Sequence, residues 1–154
     1  KKDQELSNLV AKIKADGIGK EYDCIIGLSG GVDSSYVAYE VKRLGLRPLA
    51  VHLDNGWNSE LAVKNIEQIV KKLDIDLITH VINWQEFKEL QLAFLKASVV
   101  DIEMLTDNAI GVILNKLAKK FKISINPDCP WITFNNFRKK NLNFIFINRS
   151  FISS

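Results

Sequence analysis

The hydrophobic positions change period several times along the chain, and each change predicts an element. Leu6, Leu9, Val10 and Ile13 recur at helical spacing before Gly17 and Gly19, which predicts an amphipathic helix over 4–15. Cys24-Ile25-Ile26-Gly27-Leu28 is instead a short unbroken apolar run, the mark of a strand buried on both faces. Tyr36, Val37, Val41 and Leu44 restore the helical period up to Gly45. A second buried strand runs from Pro48 to Leu53 and closes at Asp54-Asn55-Gly56. Leu61, Ile66, Ile69, Val70 and Leu73 predict a helix, Leu77 to Ile82 a third strand, and 85–97 and 107–120 two further helices.

Strands separated by helices of ten or more residues imply βαβ units. The expected fold class is therefore α/β, a doubly wound, Rossmann-like parallel sheet covered on both faces. After Ile123 the character changes: the last 31 residues hold six Asn and five of the eight Phe but no Gly and no Ala. This divides the chain into a partial α/β domain over 1–123 and an atypical tail over 124–154, either a final strand or sequence unrelated to the fold. The chain begins with Lys1, and its only Met is Met104, so a piece of a longer protein is expected.

Composition excludes several classes. The chain is 47% apolar, too hydrophobic for disorder, and no run approaches the ~18 uncharged apolar residues of a membrane span. Cys24 and Cys129 form no CxxC pair, so neither a zinc ribbon nor a disulfide framework is visible; two isolated cysteines fit a reducing, cytoplasmic setting. The net charge of +3 comes from the tail, because residues 1–123 carry 17 Lys+Arg against 17 Asp+Glu. A neutral body is a weak nucleic-acid footprint, and nucleic acid is not an expected partner.

Candidate chemistry concentrates in Ser29-Gly30-Gly31-Val32-Asp33-Ser34-Ser35, between a buried strand and a helix. A helix N-terminus leaves its first N–H groups unpaired and carries about half a positive charge, so it attracts an anion. Adjacent glycines let the backbone approach that anion, and Ser29, Ser34 and Ser35 add hydroxyl donors suited to pyrophosphate. Asp33 sits badly beside a bare anion but well beside a Mg²⁺ that bridges phosphates. A Walker A loop is excluded because no Lys follows before Lys42, and the dinucleotide fingerprint GxGxxG is not matched, although Asp54 imitates its ribose-binding acid.

The segment Ser29 to Ser34 resembles the SGGxDS pyrophosphate loop of the N-type ATP pyrophosphatases (PP-loop superfamily), which cleave ATP between the α and β phosphates. Val51-His52-Leu53-Asp54-Asn55-Gly56-Trp57-Asn58, Asn83-Trp84, Asp101-Ile102-Glu103 and Thr106-Asp107-Asn108-Ala109-Ile110 resemble the N-acetyl sugar amidotransferases of bacterial surface-polysaccharide and flagellar-glycan biosynthesis. That resemblance covers 5–123 and implies an adenine nucleotide alpha hydrolase-like fold. It also implies ATP and Mg²⁺ as cofactors, a sugar acetamido group as acceptor, and ammonia from a separate glutaminase subunit. Ser124-Ile125-Asn126-Pro127 replaces the family's Gly- and Asn-containing loop at that point.

The residues expected to bind ATP are Ser29, Gly30, Gly31, Asp33, Ser34 and Ser35, with His52, Leu53 and Asp54 bordering the adenine and ribose. Asp33 is the expected metal ligand, and Asp33 and Asp107 the expected catalytic acids. Asp107 also reads as a helix-opening acid, Trp57 as a sugar platform or a loop cap, and Trp84, Trp131, Phe87 and Phe94 as core aromatics. A homodimer is among the expected assemblies. Two other readings stay open: a tRNA-modifying member of the superfamily, and a non-catalytic nucleotide-binding fragment.

Overall fold

A computed structural model of the chain describes residues 2–101 and 103–123. The order is α1 (Lys2–Asp16), β1 (Cys24–Gly27), α2 (Val32–Arg43), β2 (Pro48–Asp54), α3 (Glu60–Leu73), β3 (Asp76–Val81), α4 (Trp84–Lys96) and α5 (Met104–Lys120). The tail over 124–154, with Trp131 and Cys129, lies outside the described residues.

The three strands form one parallel sheet in the order β1-β2-β3, with Ile26 opposite Ala50 and Ala50 opposite Leu77. Strand alternation then sorts the side chains to two faces. Cys24, Ile26, Ala50 and Leu77 pack with Val10 of α1, Val37, Ala38 and Val41 of α2, and Ile66 of α3. Their neighbours Ile25, Leu49, Val51 and Ile78 pack with Ile110, Ile113, Leu114, Leu117 and Ala118 of α5. Helices therefore cover both faces, as the unbroken apolar runs of β1 and β2 require. Burial raises the Cys24 thiol to about 12, so it behaves as a small core hydrophobe.

Three details differ from the sequence reading. β3 is an edge strand and largely exposed. Trp84 is 43% exposed, because α4 buries Phe87 and half-buries Phe94 while Leu90, Leu92 and Leu95 face outward. And α5 begins at Met104 rather than at 107, with Asp107 an acid of its first turn. Among the described residues no helix is long and apolar enough to cross a membrane.

Below the sheet, at the amino ends of the strands, Arg47 ties three segments together. Its guanidinium donates to both Asp23 oxygens and to the carbonyls of Gly17 and Lys20, and its own N–H donates to Asp23 Oδ2. Burial alone raises the Asp23 carboxyl, and the Arg47 hydrogen bonds outweigh it, leaving Asp23 below the ordinary value of 3.8. A depressed carboxyl contributes stability above its unfolded value and loses it as pH falls through the folded one. Asp23→Ala is therefore expected to melt several degrees below wild type near neutrality, with the gap closing as pH drops below 3.8. Thermal melts across that range check it, and a gap that stays constant overturns the assignment.

Candidate functional site

All three strands deliver their carboxyl ends to one edge, where open parallel sheets bind ligands. Three connections meet there: 28–31, 55–59 and 82–83. Backbone bonds continue the ladder into two of them, Leu28 N–H donating to the Val51 carbonyl and Ile82 N–H to that of Asp54, and side chains add to these. His52 is buried, and its Nδ1 lies 2.9 Å from the Leu28 carbonyl. A carbonyl only accepts, so Nδ1 carries the proton and donates. Asn65 of α3 donates to the Gly30 carbonyl at 3.1 Å, and Asn55 donates to Thr106 Oγ1 of α5 at 3.4 Å.

The loop after β1 is held from within. Ser34, only 1% exposed, donates from Oγ to the Gly31 carbonyl at 3.1 Å and accepts from the Ser29 N–H at 3.2 Å. Since its one proton is thereby used, the 3.2 Å contact between the Ser29 and Ser34 hydroxyls has Ser29 as donor. Ser35 Oγ donates to the same Gly31 carbonyl at 2.6 Å. The three hydroxyls expected to face phosphate thus lie within the loop network. Ser34 lies beneath the loop, its hydroxyl engaged with Ser29 and the Gly31 carbonyl.

What remains for an anion is backbone. α3 and α4 are closed by side chains, Ser59 accepting from the Ala62 N–H and Asn83 from the Gln85 N–H. α2 starts at Gly31 with no side-chain cap, so its first-turn amides are left for another acceptor. The two glycines have different reasons to be there. Gly30 has φ +79°, and a Cβ on it would stand 2.3 Å from the Ala62 carbonyl oxygen, so the fold itself demands glycine. Gly31 has φ −78°, and its Cβ would meet nothing closer than Ser29 Oγ at 3.5 Å. The fold therefore leaves room for a side chain at 31.

Beside this loop opens a cavity of about 670 Å³, the size of a cofactor site. It is lined by Gly27, Leu28, Ser29, Val51, His52 and Leu53, and by Asn55, Trp57, Asn58, Glu103 and Asp107 among others. His52 and Leu53 thus both line the cavity. Asp54 does not line the cavity: its Oδ1 accepts from the Gly56 N–H and from Asn58 Nδ2, closing an Asx turn that re-aims the loop. Asp107 does line it, and burial, with Glu103 and Asp101 nearby, raises its carboxyl above 3.8. Asp33 is exposed in the first turn of α2. Among the described residues no cluster of three His, Cys, Asp or Glu could hold a metal by itself. A single exposed carboxylate beside a phosphate cradle still fits Mg²⁺, which is held by one or two carboxylates, phosphate oxygens and water.

Asn65 and Gln91 escaped the sequence reading, and Thr106 entered it only as part of a longer segment. Only Asn65 left a signal, an amide of poor helix propensity in the middle of α3.

A doubly wound sheet whose first strand runs through an SGGxDS turn into an uncapped helix defines a PP-loop ATP-utilising domain, and the chain is a member of the N-type ATP pyrophosphatase superfamily. Within it the chain belongs to the NAD synthase family, whose model matches residues 4–119. It is 31% identical over 64 residues to tRNA(Ile)-lysidine synthase of Chlamydia pneumoniae, a match covering 40% of this chain and 20% of that protein. Its fold resembles NMN synthetase from Francisella tularensis (TM-score 0.53, 21% identity, 78% of this chain and 51% of that one). It also resembles the NH3-dependent NAD synthetase of Campylobacter jejuni (0.54, 18%, 78% and 53%). The glutamine-dependent NAD+ synthetase of Acinetobacter baumannii, solved with ADP, is a third (0.56, 21%, 74% and 22%). The chain therefore spans about half the length of the first two structures and about a fifth of the curated relative.

Proposed function

We propose that this chain is the ATP-pyrophosphatase part of an ATP-dependent amidotransferase. The observation that carries this reading is the uncapped start of α2 at Gly31, where the fold leaves room for a side chain and the sequence has none. Phosphates would rest on the first-turn amides of α2, and the base would lie against Gly27, Leu28 and the backbone of Val51 to Leu53. Asp33 would hold Mg²⁺, which when bound neutralises the pyrophosphate that departs.

Activation then takes place within this cavity. The acceptor's amide oxygen attacks the α-phosphorus and pyrophosphate leaves; ammonia then attacks the amide carbon and AMP leaves with that oxygen. The acceptor is an N-acetyl sugar, on the strength of the segments around Asp54 and Asp107, and Asp107 faces it from α5. Ammonia comes from a glutaminase; the glutamine dependence of the Acinetobacter neighbour supports such a supply. Pyrophosphate release from ATP in the presence of Mg²⁺, ammonium and an N-acetyl sugar tests the reaction. Asp33→Ala is expected to weaken calorimetric ATP–Mg²⁺ binding by about tenfold or more, the loss of one charge-assisted contact. Equal affinity in wild type and variant overturns the metal role.

The likeness to tRNA(Ile)-lysidine synthase favours a second reading, in which the acceptor is a tRNA base. The neutral charge of residues 1–123 tells against it. A salt-sensitive mobility shift with tRNA at micromolar protein decides for this alternative.

A further inference from the structure

Two glycines in a row give the loop after β1 a freedom that works against a fixed direction for its amides. A peptide plane turns over when ψ of the residue before it and φ of the residue after it change together, with little displacement of the flanking chain. Between Gly30 and Gly31 no side chain resists that turn. It takes φ of Gly31 from −78° to about +100°, a region open to glycine and strained for other residues. Nor is the loop crowded at this point, since nothing closer than Ser29 Oγ, at 3.5 Å, would meet a Cβ at 31. Room for a ligand is also room for a flip.

The two sides of this peptide meet different neighbours. No cis peptide occurs among the described residues, so the Gly30 carbonyl and the Gly31 N–H point to opposite sides of one plane. The carbonyl is aimed at α3, where Asn65 Nδ2 donates to it at 3.1 Å. The Gly31 N–H is thereby aimed away from α3, and it meets Ser29 Oγ at 3.5 Å, well beyond the ~2.9 Å of a settled bond. A phosphate oxygen competes easily with so long a contact. Asn65 is firmly based for this task. It stands in the middle of α3, where an amide side chain costs helix stability, and one turn after Ala62. The Ala62 carbonyl oxygen is the atom that a Cβ at Gly30 would approach to 2.3 Å. Beside Asn65, Ile66 is 3% exposed and seats α3 in the core with β1 and α2. Buried apolar contact thus fixes α3, and Asn65 passes that fixity to one carbonyl. With Nδ2 in place, a plane turned over would set N–H against N–H and leave the Gly30 carbonyl facing the anion.

We infer that Asn65 is a positioning residue of the phosphate site, holding the Gly30–Gly31 peptide with the Gly31 N–H turned to the ligand. Its purpose rests on the ATP reading, but the orientation is measurable without any ligand. The N–H residual dipolar coupling of Gly31 in the ¹⁵N-labelled full chain reads the plane directly, alongside calorimetry with ATP–Mg²⁺ and thermal melts. Wild type should give the coupling of the plane described above. Asn65→Asp faces the carbonyl with acceptors only, so the plane should turn and the Gly31 N–H should donate to the new carboxylate. Asn65→Leu neither donates nor accepts, and its coupling should shrink toward an average of the two planes. With the competent plane reduced to about a tenth of the population or less, the dissociation constant for ATP–Mg²⁺ should rise about tenfold or more in Asn65→Asp. A smaller rise is expected in Asn65→Leu, where no added charge repels phosphate. If Asn65 merely fastens α3 to the loop, neither variant moves the Gly31 coupling, and that result overturns the assignment whatever the melts show. A turned plane with wild-type ATP affinity overturns it too, as does a wild-type coupling that does not fit the plane. If wild type binds no ATP while the plane still turns in Asn65→Asp, the nucleotide reading falls and the hold on Gly31 stands.

Discussion

Gly31→Val leaves the chain folded and takes away its grip on ATP, whereas Gly30→Ala damages the fold first. The contrast follows from one loop with two different glycines. At 31 the backbone is extended, φ −78° and ψ 166°, which valine adopts without strain, and the nearest atom to a new Cβ is Ser29 Oγ at 3.5 Å. Its branches would stand over the amides of an uncapped helix start. Losing one or two charge-assisted hydrogen bonds to phosphate costs about 1.5–3 kcal/mol each, so the dissociation constant for ATP–Mg²⁺ should rise by at least about tenfold, and a hundredfold or more if two are lost. At 30 the left-handed φ of +79° costs an L-residue about 1–2 kcal/mol, and the 2.3 Å approach to the Ala62 carbonyl forces α3 to shift. A loss of about 2–4 kcal/mol in denaturant melts is expected for Gly30→Ala. Calorimetry and melting on the same two variants separate the causes. ATP affinity unchanged in Gly31→Val removes the central support of the nucleotide site.

Much of this was legible because burial on both faces leaves an unmistakable trace. The run at 24–28 has no polar side chain and that at 48–53 only the buried His52, and the structure puts helices on both sides of them. The turn after β1 was legible for a similar reason: two adjacent glycines between a buried strand and a helix have few purely structural explanations.

What stayed hidden is direction. A sequence counts the hydroxyls of Ser29, Ser34 and Ser35 but does not say that Ser34 turns inward. Asp54 followed by Asn55-Gly56 is an Asx-turn signal in its own right, and that local bond, rather than a ribose, takes up its Oδ1. Trp84 was read as core because size and hydrophobicity favour it; the anchoring of α4 by Phe87 is a tertiary fact. The start of α5 was misplaced because Glu103 precedes it in helical conformation with no side-chain cap, so nothing marks the boundary.

Ser34→Ala provides the second large effect, and it tells a staple from a phosphate donor. The Ser34 hydroxyl joins the Ser29 N–H, the Ser29 hydroxyl and the Gly31 carbonyl, and it is shut away from solvent. Removing it leaves the Ser29 amide without its partner in a part-buried site, a cost of about 1–3 kcal/mol. The Gly31 carbonyl keeps Ser35, through both its N–H and its Oγ, so the helix start survives. Stability and ATP affinity should therefore fall together, because the loop relaxes before the nucleotide arrives and binding must restore it. A Kd raised by about tenfold alongside a loss of about 1–3 kcal/mol is the expected pair. A residue that merely touched phosphate would weaken binding and leave the melt alone. Ser34→Ala with a wild-type melting temperature and weakened ATP binding would return the hydroxyl to the ligand and refute the staple.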